Sequence, residues 1–217
     1  MAIMVLSAVR GQVPEPDLPR PGAVVVSSLL GEAFMIAGDV RRPLKPDDRL
    51  RVGVTLTTGR RSMLLLLLSN GASIELDSES EIELEEFGQL VVSSSLKIQD
   101  LKEEPTVSRT RLRLVRGAVT IDVKPLKVAR GSSFILGTPA GNLRTGAGTA
   151  RAMVRMSDLG LGICSIELQK GAAEFEPPGK AFSPLPAGRN FTYALEIEKA
   201  TGAIKVGELL PPMAPKP

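Results

Sequence analysis

Histidine and tryptophan are absent from this chain, and cysteine and tyrosine occur once each, as Cys164 and Tyr193. Without histidine the chain lacks the commonest general base and metal ligand at neutral pH. A lone cysteine excludes an intrachain disulfide and a multi-thiolate metal site. Cys164 sits in the apolar stretch Leu161 to Leu168 and reads as a small buried hydrophobe. The other reading, a nucleophile, lacks a histidine to activate it. Aromatic residues make up only 3% of the chain, so the core must be built from Val, Leu, Ile, Ala and Met. Their scarcity argues against sites that stack nucleobases or sugar rings. The net charge of +3 is spread along the chain and points to no nucleic-acid partner. No apolar run approaches the ~20 residues of a membrane-spanning helix. The run Met63 to Leu68 is far too short and is bracketed by Arg61 and Asn70.

What is present reads as strands. The apolar run into Asn70-Gly71 leaves as alternating Ser73, Ile74, Glu75 and Leu76. Asn-Gly suits the two positive-φ positions of a type I′ turn, so a two-residue hairpin is expected there. Upstream, Gly53 and Gly59 punctuate a Thr-rich strand. Further strands are expected over Ala23–Leu30, Glu32–Ile36, Arg49–Thr57, Ser62–Leu68, Ser73–Leu76, Glu81–Phe87 and Thr110–Val115. They continue over Ala118–Val123, Ser133–Leu136, Asn142–Thr145, Thr149–Met156, Ile163–Leu168, Ala172–Phe175, Phe191–Ile197 and Ala203–Val206. Short strands separated by Gly, Pro or Asn define an all-β chain of stacked hairpins, solenoid-like or sandwich-like. One short helix is expected over Leu96–Glu104, stopped by Pro105.

A loose repeat runs through these strands: Leu30-Gly31-Glu-Ala, Asn70-Gly71-Ala, Arg116-Gly117-Ala and Lys170-Gly171-Ala. Each has a Gly at a presumptive turn, an Ala within two residues and an outgoing strand. The irregular spacing excludes a strict solenoid code. Two charge ladders stand out. Glu79, Glu81, Glu83 and Glu85 share one strand face opposite Ile82 and Leu84, and Arg109, Arg111 and Arg113 share one opposite Leu112 and Leu114. A row of like charges repels itself, whereas an acidic row beside a basic one satisfies both. These strands are therefore expected to be neighbours. The competing reading is an arginine row that binds an anionic polymer.

Motifs that carry chemistry are missing. Gly137 to Thr149 is glycine-rich but lacks the lysine of a phosphate cradle, and Gly146 and Gly148 read as a turn or bulge. The adjacent pairs Asp47-Asp48 and Glu103-Glu104 would point to opposite faces of a strand and not converge on a substrate. No catalytic, cofactor-binding or metal-ligating residue is assigned, no small-molecule ligand is expected, and the interaction residues are unassigned.

Gly11 to Gly22 holds four prolines and Pro211 to Pro217 another four, so both ends should be extended arms. Met1 to Val9 reads as the apolar half of a truncated signal peptide, the alternative being a loose end or short strand. The expected organisation is an arm or signal remnant at 1–21, a β domain at 22–207 and a Pro-rich tail at 208–217.

The body resembles the FecR-like domain, the periplasmic module of the ferric citrate regulator family. The resemblance is carried by Leu50 to Leu76 with its Thr58-Gly59, Ser62 and Asn70-Gly71-Ala-Ser73. It is carried also by Leu114-Val-Arg-Gly-Ala-Val119 and Phe134-Ile-Leu-Gly-Thr-Pro-Ala-Gly141, and it spans Pro21 to Phe175. Arg144-Thr-Gly-Ala-Gly-Thr149 departs from the family pattern by extra residues. Classical members carry a sigma-regulating domain and a membrane helix ahead of this module. Neither is recognisable here, so transmembrane signalling by this chain alone is not expected. The resemblance implies an exported, all-β envelope domain of bacterial type. With a truncated signal peptide the expected place is periplasmic or at the cell surface, and the missing chemistry motifs make it non-enzymatic. Two functions are open: a sensory module that binds a partner protein through a sheet edge or face, and a self-assembling structural protein whose arms join subunits.

Overall fold

In the computed structural model, residues 20–91 and 97–210 are described. Residues 11–19 of the first proline-rich arm, the second arm at 211–217, the signal-like Met1–Val9 and the expected helix start at Leu96 lie outside them. The strands are β1 (Arg20–Pro21), β2 (Val24–Leu30), β3 (Ala33–Ala37), β4 (Val40–Pro43), β5 (Arg49–Leu50), β6 (Val54–Thr58), β7 (Met63–Leu68) and β8 (Ser73–Leu76). They continue as β9 (Glu81–Gln89), β10 (Ser108–Val123), β11 (Ser133–Thr138), β12 (Gly141–Met156), β13 (Leu161–Glu176), β14 (Ser183–Leu185), β15 (Asn190–Ile197) and β16 (Ile204–Leu210). All sixteen belong to one hydrogen-bonded network that does not close into a barrel.

The network doubles over into two layers. One layer runs β4-β3-β6-β9, then the first half of β10, β11, the first half of β12, the second half of β13, and β14. The other runs β5-β2-β7-β8, then the second halves of β10 and β12, the first half of β13, β15 and β16. The three long strands β10, β12 and β13 thus belong to both layers. Between the layers lies a single core of Val, Leu, Ile and Ala with few rings, among them Leu56, Leu66, Ile82, Leu114, Ile121 and Phe134, all below 2% exposed. The sandwich-like alternative is the one realised.

The bends correct the expected strand list. Thr110–Val115 and Ala118–Val123 are one strand, as are Asn142–Thr145 with Thr149–Met156, and Ile163–Leu168 with Ala172–Phe175. In each, the residues that face the core change parity midway. Leu112 and Leu114 give way to Val119 and Ile121 in β10, Leu143 to Ala150 and Ala152 in β12, and Ile166 and Leu168 to Ala173 and Phe175 in β13. The change falls at Gly117 (φ +83°), Gly148 (φ +135°) and Gly171 (φ +93°). Gly148 and Gly171 face each other across the β12–β13 ladder, where each backbone fills the place a Cβ would need. The four glycines of the loose repeat all have positive φ. Two of them, Gly31 and Gly71, lie between strands; Gly117 and Gly171 lie within them.

Three other expectations differ. Arg49–Thr57 is broken at 51–53, where Gly53 takes φ +80°. The region of the expected helix holds only a single turn at Ile98–Asp100. The β7–β8 turn is not type I′. Gly71 has φ +90° but Asn70 is not in the positive-φ region. The Gly71 N–H donates to Leu68 O at 2.8 Å and the Leu68 N–H to Ala72 O at 2.9 Å, enclosing the three-residue loop Ser69–Gly71. The Asn70 side chain explains the change. It is fully buried, accepts from the Ala72 N–H at 3.1 Å, and donates to Ser108 Oγ and Thr110 Oγ1 at 3.1 and 3.3 Å. A loop that turns the side chain inward satisfies a buried network that a type I′ turn would leave open.

The charge ladders meet as expected, on the outer face of β9 and β10. Arg113 holds Glu83 at 2.5 Å and Glu85 at 3.1 Å, and Arg116 holds Glu81 at 2.9 Å. A register shift between Leu114 and Arg116 sets Arg116 opposite Glu81 and brings it into the row. Glu79 falls in the preceding turn and pairs with Arg60. The hydrogen bond from Arg113 to Glu83 raises the guanidinium's affinity for its proton, against a smaller opposing effect of burial. Internal pairing of Arg113 and Arg116 argues against the anionic-polymer reading. These pairs are half-exposed, so Arg113→Ala is expected to cost less than about 1 kcal/mol in urea unfolding. The loss should shrink further in high salt.

Candidate partner-binding groove

The outer face of the second layer is built by alternation. Glu75, Thr120, Arg151, Glu167 and Asn190 lie side by side in register, and Ala118, Met153, Ser165 and Thr192 form the next row. Beside these rows, where β10 bends, a groove of about 1270 Å³ opens. Its lining comes from Leu30 and Ile204 and from segments within 61–63, 77–79, 115–118 and 151–158. Leu30, Met63 and Ile204 are exposed at 64, 37 and 42%, and Met153 and Met156 are half-buried. A smaller hollow of about 100 Å³ continues from it between Arg151, Met153, Ser165, Glu167 and Asn190.

Most charges around the groove are paired. Arg151 forms an ion pair with Asp77 and donates to Thr120 Oγ1 at 3.0 Å. Arg116 and Glu79 are held by Glu81 and Arg60. Arg61 and Arg155 are exposed and form no ion pair among the described residues. The carboxylate of Asp158, also exposed, shares the rim.

The sheet edges differ. β4 carries Arg41, Arg42 and Pro43, and β14 is three residues long with Pro184, both features that discourage strand addition. β5 has two residues. β16 has seven, with Ile204, Leu209 and Leu210 exposed, and among the described residues pairs with β15 alone.

At the opposite end of β10, a carboxylate is buried. Glu104, fully buried, accepts from Ser108 Oγ at 2.8 Å, from Ser132 Oγ and from the Lys127 N–H. The Lys127 ammonium donates to the Glu104 carbonyl. Ser108 receives Asn70, and the Ser108 N–H donates to Ser132 Oγ at 3.3 Å. This cluster anchors 124–132, the crossover that the parallel β10–β11 pair requires. Nearby, buried Gln89 accepts from Ser69 Oγ at 2.5 Å while its Nε2 has no partner. The expectation that Glu103 and Glu104 diverge is met: Glu103 is exposed. Asp48 is half-buried beside exposed Asp47; burial raises its carboxyl, but bonds from the Lys45 N–H and from Arg42 outweigh this and lower it.

Cys164 is fully buried, as its apolar surroundings in the sequence imply. Burial pushes its thiol above the ordinary 9.0, only partly offset by hydrogen bonds involving Thr138 and Ala140. A thiol reagent is therefore expected to leave the native protein unlabelled at neutral pH and to label it after unfolding. Because the folded value lies above the unfolded one, the thiol's contribution to stability is complete below pH 9 and is lost as pH rises beyond it. Cys164→Ala should flatten that alkaline slope in a pH series of melts.

The described residues hold no group of three or more Cys, Asp or Glu side chains placed to bind a metal, and no helix long and apolar enough to cross a membrane. Two layers sharing three bent strands around one core, with a groove at the bend, define a doubled-over β-sandwich domain. The chain belongs to the FecR protein family: the family model matches residues 54–174, more than half of its length. This is a regulatory, non-enzymatic family. The matched span includes β10, β12, all but the last two residues of β13 and most of the groove, while β1 to β5 precede it and β14 to β16 follow. No curated protein matches. Two crystal structures of a "putative anti-sigma factor" from Parabacteroides distasonis ATCC 8503, at 1.65 and 2.50 Å resolution, are similar at TM-scores of 0.45, with 10% and 11% identity. The alignment covers 70% of this chain and 58% of theirs, so this chain spans less than two thirds of their length. Nothing in these comparisons favours the self-assembling reading.

Proposed function

We propose that this chain is a non-catalytic regulatory module of the bacterial cell envelope that acts on the periplasmic side through contact with a partner protein. The observation that carries this reading is the FecR family match over 54–174, which coincides with the layer-crossing core of the sandwich. The open groove and the β16 edge, which no second strand covers among the described residues, support it, since both offer surface for another chain. A periplasmic position also agrees with the signal-like apolar residues at the N-terminus. The test is in-cell cross-linking of the tagged chain, combined with protease access in spheroplasts. Discrete adducts with a second protein, on a chain degraded by external protease, are expected. A protected chain that yields no adduct would reject the reading.

A further inference from the structure

Several features could hold something. The Glu104 cluster is satisfied from within, apart from the nearby Gln89 amide, and serves the crossover. The hollow of about 410 Å³ lined by Pro139, Pro177, Pro178 and Lys180 has one face of rigid prolines and no concentration of unpaired charge. The groove at the β10 bend has both a chemistry and a sign.

We infer that this groove binds an extended segment of a partner protein in which acidic residues alternate with large apolar ones. The inference rests on the partner-binding reading above and specifies its surface and its ligand. Size comes first. At about 1270 Å³ and open along one side, the groove exceeds the ~300–1,000 Å³ of small-molecule pockets. Its apolar lining is mobile in character: Met63, Met153 and Met156 present unbranched thioether chains, with Leu30 and Ile204 at the ends. Methionine surfaces adapt to differing apolar side chains at little cost, as binding grooves for peptides require.

Charge selects the ligand. Arg116 and Arg151 are already neutralised by Glu81 and Asp77. Arg61 and Arg155 are exposed, flank the apolar lining and have no carboxylate of their own among the described residues. Against these two cations the rim sets one unpaired carboxylate, Asp158. A basic segment would face two guanidiniums, whereas an acidic one would gain a bidentate partner at each. An extended ligand is favoured over a helix by the period of two along a strand. That period sends apolar side chains down to the methionines and leaves acidic ones at the level of the arginines.

The test uses the whole chain and two fluorescent decapeptides, one alternating Asp and Leu, the other alternating Lys and Leu, read by anisotropy. The acidic peptide is expected to bind at least about tenfold tighter, and Arg61→Glu with Arg155→Glu to abolish that preference. Equal affinities, or a preference that survives the double substitution in a protein with unchanged circular dichroism, would overturn the inference. Hydrogen exchange on the unsubstituted chain gives a readout that needs no variant. Protection by the acidic peptide should fall on 61–63, 115–118 and 151–158, and protection confined to β16 would also overturn it. If the double variant still forms the adducts of the cross-linking experiment while the peptide tests fail, the groove assignment falls and the regulatory-module reading stands. If adducts never form while the acidic peptide binds as expected, the regulatory-module reading falls and only the groove's peptide preference stands.

Discussion

Glu104→Ala is expected to destabilise the domain by about 3 kcal/mol or more, because it strips one buried acceptor from three donors at once. The side chain is fully buried and takes hydrogen bonds from Ser108, Ser132 and the Lys127 backbone. Truncation leaves those donors without an acceptor, each at a cost of about 1–3 kcal/mol if water does not enter. The Lys127 ammonium would keep its bond to the main chain at position 104 but lose the adjacent negative charge. Glu104→Gln keeps the shape and one acceptor oxygen and should lose less than the alanine variant. Urea unfolding followed by circular dichroism measures both. A loss below about 1 kcal/mol for Glu104→Ala would show that the cluster does not anchor the crossover.

Gly117→Ala is the second large effect, with an expected loss of about 3 kcal/mol or more. At φ +83° a β-carbon pays about 1–2 kcal/mol for the left-handed backbone. It would also overlap the Cα and Oγ of Ser80, and overpacking of this kind costs roughly 1–3 kcal/mol. Ser80 cannot simply rotate away. Its hydroxyl donates to Ala118 O at 3.0 Å and accepts from the Ala118 N–H at 2.9 Å, so it staples the bend. Gly53→Ala is the control. Gly53 also has positive φ, at +80°, but nothing lies within 4 Å of its missing β-carbon. It should pay the backbone cost alone, so the difference between the two melts isolates the packing at the bend. Equal losses would mean that the approach of Ser80 to the backbone is not what demands glycine at 117.

Much of this molecule was legible as strands. The alternation of Glu81, Ile82, Glu83 and Leu84 against Arg111, Leu112, Arg113 and Leu114 identified two elements and their adjacency. A strand's side-chain period is two, and unlike charges on facing strands relieve each other. The burial of Cys164 was legible from its apolar neighbours. The family followed from turn and core residues such as Thr58-Gly59 and Asn70-Gly71.

The bends were not legible. A glycine inside a strand whose inward face changes parity looks, in one dimension, the same as a glycine in a turn. Gly117 and Gly171 share their motif with Gly31 and Gly71, yet only the latter pair separates strands. The ladder partners decide the difference, because β10 keeps hydrogen bonding while exchanging β9 for β8 and β11 for β12. Glu104 was equally opaque. An acidic residue before Pro105 reads as solvent-facing until Ser108, Lys127 and Ser132 are brought around it. The Asn70 turn was misread for the same reason: two hydroxyls nearly forty residues away outweighed the local preference of Asn-Gly.

Sequence by itself determined that this chain is all-β, that its core is aliphatic, and that its glutamate and arginine rows pair. These are local or nearest-strand properties, fixed by the two-residue period and by the chemistry of adjacent side chains. Tertiary structure alone decided that one sheet folds into two layers, that a carboxylate is enclosed, and that a groove opens at the bend with two arginines that form no ion pair among the described residues. Those depend on residues separated by tens to more than a hundred positions. Their proximity is set by the ladder as a whole, which no single stretch of the chain encodes.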